Sequence, residues 1–105
     1  QAAKIAIVGT GGISHWPATP DSGKINEAWD REFLEQLMNQ DKQKLLSYTD
    51  EDVYDQAGQG GFEIRTLIAA AAAAGGKGDL QFYSAELPIC AVGCTVARFE
   101  ISSER

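Results

Sequence analysis

Between residues 26 and 38 the apolar side chains Trp29, Phe33, Leu34, Leu37 and Met38 recur at helical spacing. This pattern predicts a helix opening at Asn26, a good N-cap, with one stripe turned to a core. Asp30, Glu32, Glu35 and Gln36 are expected mostly on the other face. A short second helix is expected over residues 41–48, anchored by Leu45 and Leu46. Thr49, with Asp52 three residues on, has the form of a capping box and predicts a third helix to Ala57, stopped by Gly58. The acids Asp50, Glu51, Asp52 and Asp55 then suit a helix N-terminus and need no metal to explain them. Gln59-Gly60-Gly61 opens a fourth helix over residues 62–74, with Ile64, Leu67, Ile68 and Ala71 on one face. Its six alanines favour helicity and close packing, and Gly75-Gly76 ends it.

The remaining apolar runs read as strands. Residues 4–8 form a short buried strand ended by Gly9, and residues 80–87 and 95–101 form two more. In the last of these, Val96, Arg98 and Glu100 alternate with Ala97, Phe99 and Ile101. Residues 11–23 hold Pro17 and Pro20, so they form a long loop and not a helix. Four helices and at least three strands predict an α/β fold, a central β-sheet flanked by helices.

Composition narrows the function classes. The 105 residues suit one domain or part of one, and the net charge of −6, with no basic cluster, argues against nucleic acid or an anionic membrane as partner. The longest apolar stretch, residues 67–74, is too short to span a bilayer, and no secretory signal is visible. Cys90 and Cys94, in an apolar setting, are expected to be buried free thiols, which suits a cytoplasmic protein. The chain opens without methionine and enters a strand almost at once, as the downstream part of a longer protein would.

Three places carry candidate chemistry. The run V-G-T-G-G-I-S-H-W lacks the third glycine and the following helix of a dinucleotide fingerprint, and it lacks the Gly-Lys-Ser/Thr of a phosphate loop. His15, the single histidine, stands in that loop at a strand end, where an imidazole is a ready general acid–base; a histidine hydrogen-bonded inside a turn is the plainer alternative. Ser14 is a poor nucleophile for it, because sequence neighbours rarely face each other as nucleophile and base. Glu63 follows Gly60-Gly61-Phe62 in the first turn of an apolar helix. It suits either the helix dipole or a metal, and one His with one Glu does not complete a metal site.

Three segments together, G-T-G-G-I-S-H-W-P, K-I-N-E-A-W-D-R-E-F-L-E-Q-L and G-Q-G-G-F-E-I-R-T-L-I-A-A, resemble the C-terminal half of the class III extradiol ring-cleavage dioxygenases. Within that family they are most similar to the catalytic β subunit of protocatechuate 4,5-dioxygenase and to gallate dioxygenase. The likeness runs over residues 6–72, with a looser match through the last strands.

The resemblance implies a non-haem Fe(II) enzyme that binds an aromatic diol and O2 and opens the ring beside the diol. It implies that Glu63 is an iron ligand and that His15 is the acid–base residue beside the iron. Ser14 and Trp16 are the nearest candidates for touching substrate. The family's two histidine ligands have no counterpart here, so Fe(II) would need the N-terminal half of the enzyme, from the same or a separate polypeptide. Residues 1–105 are therefore expected to be the C-terminal portion of a larger catalytic domain, within a multi-chain assembly. The alternative is a metal-free relative that serves as a binding module.

Overall fold

The computed structural model describes residues 6–16, 24–85 and 92–101. The order of elements is α1 (Glu27–Met38), α2 (Lys42–Leu45), α3 (Asp50–Ala57), a 3-10 turn (Gln59–Glu63), α4 (Ile64–Ala74), β1 (Gly75–Ser84) and β2 (Cys94–Ile101). Helices α1 and α4 pack on the hairpin of β1 and β2, a mixed α/β arrangement.

Helix α1 starts where the sequence places it. The Asn26 side chain accepts from the Trp29 N–H, satisfying one of the donors that a helix start leaves open. Its apolar stripe forms the core: Phe33, Leu34 and Leu37 are buried with Ile13, Leu45, Val53, Ala57, Ile64 and Ala71. Each such side chain contributes about 1.5–3 kcal/mol relative to staying exposed. Trp29 stacks on Phe33 at 5.8 Å, and Tyr48 tilts against both rings. The Tyr48 hydroxyl donates to Gln36, and burial, with Glu32 nearby, pushes its pKa up to about 12.

Helix α3 spans the expected residues, capped by Thr49, whose hydroxyl oxygen accepts from the Asp52 N–H at 3.1 Å. The fourth helix differs at its start. Residues 59–63 wind as a 3-10 turn, and the α-helix begins only at Ile64. At its other end Gly75 takes a left-handed φ of 83° and closes the helix, as the paired glycines predict. Gln40, itself at φ 54°, donates its side-chain amide to the carbonyls of Ala71 and Gly76, joining the end of α1 to the end of α4.

Other expectations need correction too: β1 begins at Gly75, five residues before the strand expected from residue 80. The second helix shrinks to four residues, and Leu46 is exposed while Leu45 alone enters the core. Asp30, assigned mostly to the polar face, is fully buried, because it finds three donors inside the fold. Cys94 is exposed, since it opens β2 at the rim of the hairpin; Cys90 lies outside the described residues. Residues 6–8 of the first expected strand take no regular structure, and residues 4–5 lie outside the description. A strand needs a paired edge, and β1 and β2 pair only with each other among the described residues.

The two strands run antiparallel, Tyr83 opposite Thr95 and Leu80 opposite Ala97, with irregularities after Gly75 and Leu80. Burial alternates along β2 from Cys94 to Glu100, as its sequence pattern predicts. An apolar groove of about 590 Å³ lies among residues 6–9, α4 and β2, and Ile7, Val8, Val96 and Ile101 remain exposed along it. No helix among the described residues is long and apolar enough to cross a membrane.

Candidate active site

The glycine-rich loop is clamped on several sides. Gly9 crosses α4 so closely that a Cβ there would meet the Thr66 carbonyl oxygen at 2.6 Å, and the Thr66 hydroxyl donates to the Thr10 carbonyl. Gly11 has φ +129°, a conformation open to glycine and strained for other residues. Beyond it, the Ile13 N–H donates to the Gly93 carbonyl and the Gly93 N–H to the Ser14 carbonyl. The sequence breaks into glycine here because the backbone itself makes the contacts.

This clamp delivers His15 to the end of α3. Its N–H donates to the Ala57 carbonyl at 2.8 Å, and its carbonyl accepts from the Gly60 N–H at 3.2 Å. The imidazole lies over Gly60, where any Cβ would collide with the ring. Its Nδ1 is 3.0 Å from the Ile13 carbonyl oxygen. A carbonyl only accepts, so Nδ1 carries the hydrogen, and in the neutral ring Nε2 holds the free lone pair.

Glu63 comes to the same point from the end of the 3-10 turn. Its Oε1 accepts from the Gly12 N–H at 2.6 Å and lies 3.9 Å from His15 Nε2. The histidine side chain is mostly covered, whereas half of the Glu63 side chain is exposed. The two residues weighed from sequence thus converge, the basic nitrogen of one facing the carboxylate of the other. At the N-cap of α4 the Glu63 side chain makes no capping hydrogen bond and is held instead by the glycine loop.

Ser14 is fully buried, and its hydroxyl is engaged within the chain: it donates to Asp30 Oδ2 at 3.0 Å and accepts from the Asn26 N–H at 2.8 Å. Trp16 is partly buried beside Gly58, with the Lys24 ammonium 4.7 Å above its ring. Asp30, expected on the polar face of α1, joins this network instead. Its Oδ1 accepts from the Ser14 N–H at 3.0 Å, and its Oδ2 also accepts from the Tyr83 hydroxyl at 2.6 Å. The signal was present: residues 30, 33, 34 and 37 share the i, i+3, i+4, i+7 spacing of a buried stripe, with a carboxylate in its first place. Burial pushes the Asp30 carboxyl above its ordinary range, opposed by the donors from Tyr83 and Ser14.

Among the described residues no group of three or more His, Cys, Asp or Glu stands ready to hold a metal ion. By itself the half-exposed Glu63 carboxylate is a hard oxygen donor that could fill one position of a metal site, with the others filled from elsewhere.

Two relatives of this chain are named as dioxygenases. Over 65 residues the chain is 38% identical to a gallate dioxygenase of Pseudomonas putida, and over 60 residues it is 39% identical to a 2,3-dihydroxyphenylpropionate/2,3-dihydroxicinnamic acid 1,2-dioxygenase of Rhodococcus jostii. These alignments cover 62% and 57% of this chain and 19% of each relative, so the chain spans about a fifth of their length. Residues 1–97 match the family described as the catalytic LigB subunit of aromatic ring-opening dioxygenases, and the chain belongs to that family.

Proposed function

We propose that this chain is the C-terminal portion of a non-haem Fe(II) extradiol dioxygenase, contributing Glu63 as an iron ligand and His15 as the acid–base residue. The observation that carries the reading is the meeting of His15 Nε2 and Glu63 Oε1 at 3.9 Å, each held by loop backbone. The single histidine is committed to this role, so the two histidine ligands come from the N-terminal half of the catalytic unit, on the same or a separate polypeptide. The exposed apolar residues Ile7, Val8, Val96 and Ile101 are a suitable surface for that half to complete the sheet.

The substrate is a catechol-type aromatic acid of the protocatechuate or gallate class. Membership of a ring-opening dioxygenase family supports the reaction class, and the relatives' names support an aromatic acid bearing adjacent hydroxyls. Bound iron supplies Lewis acidity and the electron exchange with O2. The protein's part is proton handling. Nε2, unprotonated in the neutral ring, accepts a proton from a substrate hydroxyl and returns it as the ring opens. Nδ1–H, bound to the Ile13 carbonyl, keeps the ring from turning as the proton comes and goes. The Gly12 N–H orients the Glu63 carboxylate toward the metal position.

The test uses the complete catalytic unit containing this chain. Glu63→Ala should abolish stoichiometric iron, while His15→Ala should keep iron and lower ring cleavage by about 10²- to 10⁴-fold. Full iron in the Glu63 variant would reject the ligand assignment.

A further inference from the structure

One buried polar network has no part in the mechanism above. Asp30 is fully buried in α1, a position that periodicity gives to an apolar residue. Burying a carboxylate is costly unless hydrogen-bond donors compensate for the lost water. Here Oδ1 takes the Ser14 N–H, and Oδ2 takes the hydroxyls of Ser14 and Tyr83. An apolar residue would fill the space without that cost, so the carboxylate calls for an explanation beyond packing.

The explanation lies in one peptide plane. The Ser14 N–H and the Ile13 carbonyl belong to the same peptide unit, which is trans, so they point to opposite sides. Asp30 Oδ1 holds the N–H end. The carbonyl end is thereby turned the other way, where it accepts the Nδ1 hydrogen of His15 at 3.0 Å. Hydrogen bonds between Gly93 and the two residues of this unit, Ile13 N–H to Gly93 and Gly93 N–H to the Ser14 carbonyl, brace it from the second strand's side. We infer that Asp30 is the positioning residue for His15: by orienting the Ile13–Ser14 peptide it selects the Nδ1–H tautomer and aims Nε2 at Glu63.

The catalytic consequence rests on the acid–base reading of His15, whereas the tautomer is a property of this chain and is tested apart from it. In the complete unit labelled with ¹⁵N-histidine, the two ring nitrogens of His15, the single histidine of residues 1–105, are assigned as the imidazole signals that His15→Ala removes. At a pH where the ring is neutral, the wild type should show a protonated Nδ1 and an unprotonated Nε2; the opposite tautomer, or an even mixture, overturns the inference without any variant. Asp30→Leu removes the acceptors and should bring in the Nε2–H form. Asp30→Asn keeps a carbonyl oxygen for the Ser14 N–H and should preserve the wild-type pattern. A folded Asp30→Leu chain with unchanged imidazole signals also overturns it.

In the complete catalytic unit, Asp30→Leu should lower kcat with iron content unchanged, and should cause no further loss when His15 is already alanine. An equal loss in both backgrounds would mark Asp30 as merely structural and overturn the positioning role. If His15→Ala itself leaves ring cleavage intact, the acid–base reading fails while the tautomer result stands.

Discussion

His15 Nε2 and Glu63 Oε1 lie 3.9 Å apart, brought together from a glycine loop and a 3-10 turn that are distant in sequence. Neither side chain reaches the other by its own local geometry. The loop places both, through the Ile13 carbonyl on the imidazole and the Gly12 N–H on the carboxylate. The glycines around this pair are therefore the sharpest places to perturb it.

Gly60→Ala would drive a methyl group into the imidazole, because an added Cβ collides with Nε2, Cε1 and Cδ2 of His15. In the complete catalytic unit this should lower kcat toward that of His15→Ala while iron content is preserved. Steady-state kinetics beside iron analysis will check it; an unchanged kcat would show that the ring does not need its present position.

Gly11→Ala should act on the other partner. Its φ of +129° disfavours a side chain, and the new methyl carbon would sit 2.8 Å from Glu63 Cβ and 3.0 Å from Oε1. Displacing the carboxylate from the Gly12 N–H should weaken iron binding by about 10- to 100-fold, read by competition with a chelator. Wild-type iron affinity would contradict the proposed orienting bond.

The buried carboxylate of Asp30 predicts a pH signature. Burial raises its pKa in the folded chain above the ordinary value of 3.8, even against the hydrogen bonds from Tyr83 and Ser14. The folded state then holds this proton more tightly than the unfolded state. The resulting stabilisation is full below that ordinary value and is lost as pH rises through the folded pKa. Asp30→Asn has no such proton, so its stability relative to wild type should climb with pH across that window. Urea unfolding of the two chains at a series of pH values gives the comparison. Glu27 and Arg31, which also face this network, are common to both; a difference independent of pH would be the wrong result.

Phe33 is fully buried at the centre of the core, stacked on Trp29 and tilted against Tyr48. Phe33→Ala should destabilise the chain by about 3–5 kcal/mol. Thr49→Ala, which removes the hydroxyl that accepts from the Asp52 N–H, should cost only about 1 kcal/mol. Denaturant titration will rank the two, and a reversed order would contradict the core assignment.

Helices α1 and α3 and the end of α4 were legible in the residue pattern because their causes are local. Asn26 and Thr49 cap, Gly58 and Gly75 stop, and the Phe33-Leu34-Leu37 stripe repeats with the helical period. His15 and Glu63 could be singled out by residue type and loop setting, and their joint meaning came from resemblance to a family. Their separation could not be read, since it depends on backbone bonds from Gly12 and Ile13 that no side-chain pattern encodes. Residues 6–8 carry strand-like composition, yet composition supplies no partner edge, and pairing is a property of neighbours in space. Asp30 is the clearest case. Its place in the helical period marks it for burial and its charge marks it for solvent. Three donors from the loop and β1, assembled only when the chain folds, resolve that conflict in favour of burial.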